Sequence, residues 1–216
     1  MICFNSLMSI QVSTSLLPCE NLKEIAESVL LTKEWMRLQH EFNFSKKIYV
    51  IGNGGNLAVA DHAAVDITRL SSKLAIAPGS GILATSIIGD NCIDTWFCNW
   101  LQASINADSS ADLSKHLVIG ISSSGTASNI VSALELAVKN GMNAALLSSR
   151  TLPPDKINPL INTVQLGVDY YHSGEVLSLL LAYQLIHGSG ASCPSISGKL
   201  NEPSFDRLVN SNVKFD

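Results

Sequence analysis

Charge is scarce in this chain of 216 residues: only 15% are Asp, Glu, Lys or Arg, and the formal net charge is -4. Basic clusters are missing, the longest being the Lys46-Lys47 pair, and this excludes the electrostatic footprint of a direct nucleic-acid binder. The five cysteines (Cys3, Cys19, Cys92, Cys98 and Cys193) are odd in number and contain no Cys-x-x-Cys. Neither a disulfide framework nor a zinc knuckle follows from them, and reduced thiols are the plain reading. No Lys or Arg precedes Lys23, so residues 1–19 lack the positive start of a secretory signal. The longest apolar stretch, residues 176–186, is too short to span a bilayer. A soluble cytoplasmic protein with no membrane partner is expected.

What is present is apolar. Hydrophobic residues make up 46% of the chain, enough for one good core, and the length favours one domain. So little charge leaves part of that apolar excess for a subunit interface, and a homo-oligomer is expected. Residues 20–43 carry Leu22, Ile25, Val29, Leu30, Trp35 and Leu38 near helical spacing and read as one amphipathic leading helix. Short apolar strands are predicted at 47–51, 74–77, 117–121, 143–147 and 163–166. Helical segments fall between them at 57–70, 82–88, 92–105 and from the end of the 122–128 loop to about 139. Segment 176–186 is apolar on every side and reads as a fully buried helix. Strand, loop and helix repeated in this way predict an α/β fold with a parallel sheet between helices. Ligands in such folds sit beyond the carboxyl ends of the strands. The domain is read as 20–187, with a lead segment 1–19 and a Ser/Gly/Pro-rich tail 188–216.

Two loops lie at those strand ends. The first, Gly52-Asn53-Gly54-Gly55-Asn56, brings backbone N–H groups to a helix start, where negative charge is favoured. It lacks the Gly-Lys-Ser/Thr of a P-loop. It also lacks the third glycine of a dinucleotide fingerprint, since Leu57 stands there. A tight turn and an anion site both remain open for it. The second loop, 122–128, carries hydroxyls on Ser122, Ser123, Ser124 and Thr126 beside Gly125. N-capping needs one hydroxyl, so four within five residues point to a phosphate cradle.

The segments VIGNGGNLAVADHAAVDIT (50–68) and VIGISSSGTASNIVSALELAVKNGMNAALLS (118–148) resemble the sugar isomerase (SIS) domain family. Within it they resemble the phosphoheptose (sedoheptulose 7-phosphate) isomerases. The likeness runs from about residue 20 to 187. It implies a five-stranded parallel sheet between helices and a homotetramer. It also implies a sugar-phosphate substrate held by Gly54, Gly55, Asn56, Ser122, Ser123, Ser124 and Thr126. A later family serine falls on Ala127, and the serine of the first loop falls on Asn56.

Aldose–ketose isomerisation moves a proton between C1 and C2 through an enediol, which requires a base beside those carbons. His62 and Asp66 share a helix face at i,i+4. The resemblance implies a place in the site for both, with Asp66 as base where the family has Glu. In the late helix it places Glu175 at a family Gln, Tyr183 at a family His and His172 at a family Asp. Glu175 or His172 is then the second proton-transfer group, and Tyr183 reads as a core aromatic. The resemblance further implies zinc on His62, Asp66 and Glu175. Loss of the family histidine favours a rival: a non-catalytic phosphosugar sensor, or a scaffold of the initiator-associating kind. His40 and His116 read as surface or structural residues, and Trp96 and Trp100 as core.

Overall fold

A computed structural model describes residues 17–79, 81–108, 112–153 and 155–194. Most of the lead segment and most of the tail therefore lie outside the described residues. The expected leading helix is two helices, α1 (Leu22–Leu30) and α2 (Lys33–Phe44). Thr32 makes the break: its extended backbone starts α2, and its side chain accepts from the Trp35 N–H at 3.1 Å. Such a cap is worth about 1 kcal/mol. That is enough to favour two short helices over one continuous rod.

Strand β1 (Lys47–Gly52) leads to α3 (Gly55–Ser71), β2 (Leu74–Ile76), α4 (Gly81–Asp90) and α5 (Trp96–Ala107). Then follow β3 (His116–Ser122), α6 (Ser128–Lys139), β4 (Asn143–Ser148), β5 (Asn162–Gln165) and α7 (Tyr171–Gly188). The five strands are all parallel, in the order β2-β1-β3-β4-β5. That order reverses between β1 and β3, so the connections leaving them diverge and open a crevice.

Alternation along the strands fills two cores. Ile48, Val50, Leu117, Ile119, Ala145 and Leu147 face a cluster with α1, α2, α3 and α7. Tyr49, Ile51, Val118, Ala144 and Leu146 face the opposite cluster, with α5 and α6. This is the three-layer architecture that the sequence predicts. Trp96 and Trp100 are buried as expected, and His116 is a buried residue of β3.

The late helix departs from expectation. Leu177, Leu181 and Leu185 form its buried stripe, whereas Val176 and Leu180 are 56% and 47% exposed. One stripe suffices to meet the sheet and α3, so the rest of this apolar helix is left uncovered in a single chain. Helix α4 has no fully buried residue, and Ile82 is 83% exposed.

Candidate functional site

The loops after β1 and β3 stand side by side at the crevice. Asn53 and Asn129 exchange amide hydrogen bonds of 2.9 and 3.0 Å, tying the first loop to the first turn of α6. Asn56 donates from Nδ2 to the Ser123 hydroxyl at 3.0 Å. Its buried Oδ1 has no partner among the described residues, although it belongs to the cleft wall. A buried amide oxygen costs free energy until something donates to it.

Gly55 opens α3 directly beneath the Glu175 carboxylate, so closely that a Cβ there would collide with Oε1. The anion at the start of α3 is thus the protein's own Glu175. This resolves the two readings of the first loop: a negative group does sit there, and it comes from α7. Gly54, Gly55 and Asn56 line one hollow with Ser122, Ser123, Ser124, Tyr171 and Glu175.

The serine loop is held by its own hydroxyls. Buried Ser122 accepts from the Gly125 N–H at 3.1 Å, and Ser124 accepts from the Thr126 N–H at 3.2 Å. Ser123 is held instead by Asn56. Helix α6 has Ala127 at its cap, with no side-chain acceptor for its first N–H groups. Its positive end therefore faces the hydroxyl cluster without a partner from the cap. Thr126 bonds to Ser124 and is not among the residues lining the cleft.

Asp66 and His62 lie elsewhere. Asp66 is buried; its Oδ1 accepts from Arg69 at 2.9 Å and its Oδ2 from the Tyr183 hydroxyl at 2.5 Å. His62 Nε2 is 3.2 Å from the same Oδ2 and 3.1 Å from the phenol oxygen. The hydrogen bond to Asp66 pushes the Tyr183 phenol up to about 12, so it stays protonated at neutral pH. Tyr183 lies eight residues beyond Glu175 on α7, about 12 Å along the helix axis. Asp66, expected as the base, is outside the cleft that holds the serines. Its Oδ2 joins α3 to α7 and its Oδ1 is paired with Arg69 within α3.

The same geometry tests the expected zinc set. His62 and Asp66 are together, but Glu175 is about two to three helical turns away at Gly55, and Arg69 already neutralises Asp66. Among the described residues, no three His, Cys, Asp or Glu side chains gather at ligating distance. These donors do not fit one tetrahedral centre in this fold.

His172, the other expected proton-transfer group, is turned away as well. Its Nε2 donates to the Pro18 carbonyl at 2.9 Å, and its ring stacks on Tyr170. Beside it, Glu20 Oε1 accepts from the Asp169 N–H at 2.6 Å. Asp169 precedes Tyr170, the cap residue of α7, so this distant glutamate pins the turn that leads into the helix. The nearby Ser173 hydroxyl and the Asp169 N–H hold the Glu20 carboxyl down to about 2 from its ordinary 4.5. A lowered folded-state pKa means the stabilisation is complete above about 4.5 and is lost as pH falls towards 2. Thermal melts of Glu20→Gln and the parent should therefore differ most above pH 4.5 and converge in acid. A constant gap down to pH 2 would contradict this role.

Sequence reasoning did not single out a second hollow. Arg150, Asp169, Tyr170 and Tyr171 line it with Ser123 and Ser124, in a volume of about 340 Å³. One signal was available: Arg150 follows β4 as the other two loops follow β1 and β3, at a strand's carboxyl end.

No protein-family model matches the chain. A phosphoheptose isomerase from Aneurinibacillus thermoaerophilus is 33% identical over 142 residues, covering 59% of this chain and 68% of that protein. One from Pelobacter propionicus is 31% identical over 121 residues, covering 53% of this chain and 60% of the relative. Part of each relative's length thus lies outside the match. Among solved structures, a phosphoheptose isomerase from Neisseria gonorrhoeae superposes with a TM-score of 0.63 at 20% identity. That match covers 78% of this chain and 91% of the other, and it shows a shared fold.

Proposed function

Because the chain belongs to the phosphoheptose isomerase family, we propose that it binds a phosphorylated sugar and interconverts its ketose and aldose forms. Sedoheptulose 7-phosphate is the expected substrate. The observation that carries this reading is the Glu175 carboxylate standing in the same hollow as Ser122, Ser123 and Ser124. Anchoring a phosphate on the serine loop and α6 fixes the register of the sugar against that carboxylate. Glu175 takes the proton from C2 of the aldose, and the pair forms the C1=C2 bond as the C1 carbonyl oxygen takes a proton from solvent. Glu175 then returns its proton to C1 while the O2 hydroxyl gives its proton to solvent and becomes the ketone. In the ketose direction it takes the proton from C1 and returns it to C2. Asn56 holds the Ser123 hydroxyl in place beside the sugar. No step passes through a metal.

Exchange of the substrate's C1 or C2 hydrogen with deuterium from solvent tests this directly, because enediol formation exposes that hydrogen. Proton NMR with sedoheptulose 7-phosphate should show the exchange. Binding without exchange would favour the phosphosugar sensor or scaffold instead.

The proposal includes a cytoplasmic homotetramer. Support comes from the half-exposed Val176 and Leu180 of α7 and from Ile82 of α4, a helix with no fully buried residue. No helix among the described residues is long and apolar enough to cross a membrane. Light scattering at micromolar concentration should report four copies. Val176→Asp with Leu180→Asp should shift that mass downward, and a parent that scatters as a monomer would refute the assembly.

A further inference from the structure

The cleft consists of two hollows that share Ser123, Ser124 and Tyr171 as a common wall. Their charges differ. The first carries the Glu175 carboxylate and, among the described residues, has no Lys or Arg in its lining. The second carries Arg150 together with Asp169. Arg37 and Arg69 are paired with Glu41 and Asp66, but Arg150 has no ion-pair or side-chain hydrogen-bond partner among the described residues.

A phosphomonoester brings roughly 1.5 to 2 negative charges at neutral pH. Serine hydroxyls are neutral, and a helix start offers about half a positive charge. The cradle alone therefore leaves most of the dianion uncompensated. A phosphate seated toward the first hollow would meet Glu175, a like charge. Seated toward the second, it would meet Arg150, the one cation lining the cleft among the described residues.

We propose that Arg150 binds the substrate phosphate across the serine wall and sets the direction in which the sugar lies. The phosphate end occupies the Arg150 side, and the reacting carbons extend into the first hollow, over Glu175. The inference rests on the proposed phosphosugar site and adds a residue and a polarity to it. Asp169, on the same side, is placed to accept from sugar or bound-water hydroxyls. Its charge also penalises an anion that lacks the guanidinium.

Calorimetry with inorganic phosphate tests this on the full chain. The variants are Arg150→Met, Arg150→Lys and the pair Ser123→Ala with Ser124→Ala. Arg150 is exposed, so its replacement leaves the core untouched. Arg150→Met should weaken phosphate binding about tenfold at low salt, the lower end for a charge-assisted hydrogen bond. Arg150→Lys should recover part of that loss, since it keeps the charge and loses the fork. The gap between parent and Met variant should narrow as salt rises. Parent-like affinity in Arg150→Met, with weakened binding in the serine pair, would overturn the role of Arg150 and leave the serine cradle standing. No phosphate binding by the parent would remove the cradle, and Arg150 with it.

Discussion

Glu175→Gln is expected to slow isomerisation by about 10²–10⁴-fold, the usual contribution of a positioned general base. The amide keeps the size of the side chain and its place above Gly55 while removing the ability to take a proton. Binding of phosphosugar should persist and strengthen slightly, because a negative charge has left the cleft. Deuterium exchange and calorimetry on the same preparation separate the two effects. Exchange at the parental rate in a folded Glu175→Gln would remove Glu175 from the chemistry. The candidate for the proton would then have to come from another group, and Asp66→Asn would be the next variant to measure.

Gly125→Ala should be the most damaging single methyl in the phosphate cradle. Gly125 has φ +68°, a conformation that costs an ordinary residue roughly 1–2 kcal/mol. Its added Cβ would also run into the Ser148 hydroxyl and the Leu152 side chain. The chain must then give up the turn in which Ser122 accepts from the Gly125 N–H. A fall of about 2–8 °C in melting temperature is expected, given about 2–4 °C per kcal/mol at this size. Phosphate affinity should fall by more than tenfold, since the serines and the start of α6 lose their common geometry. Parental affinity with parental melting would show that this turn is not what shapes the cradle.

The layers and the sheet were legible because short apolar strands alternating with helices admit few other arrangements. The leading helix was misread at one point: Thr32 looks like an ordinary polar face residue until its capping bond to Trp35 is seen. The serine loop was legible from its density of hydroxyls. The distribution of acids was not. Spacing places His62 and Asp66 on one helix face but says nothing about what crosses from α7. Arg69, three residues on from Asp66, takes one of its oxygens, and Tyr183 takes the other. Glu175 reaches the cleft because α3 and α7 begin together, a relation between segments about 120 residues apart. Arg150 went unnoticed for a similar reason: a lone arginine after a strand acquires meaning only beside the serines of another loop.

The tie from Glu20 to the turn before α7 bears on how the protein is made. The acceptor and the N–H it serves are 149 residues apart in the chain. During synthesis the first helices emerge well before their partner, and Glu20 stays unengaged until nearly the whole domain has been translated. The same late helix delivers Glu175 to the cleft, so the acid arrives with the last segment to dock. Closing so long a loop is slow compared with forming the local strand–helix units. A nascent chain stalled before α7 would thus display the serine loop without its carboxylate, as an anion cradle with no means of moving a proton.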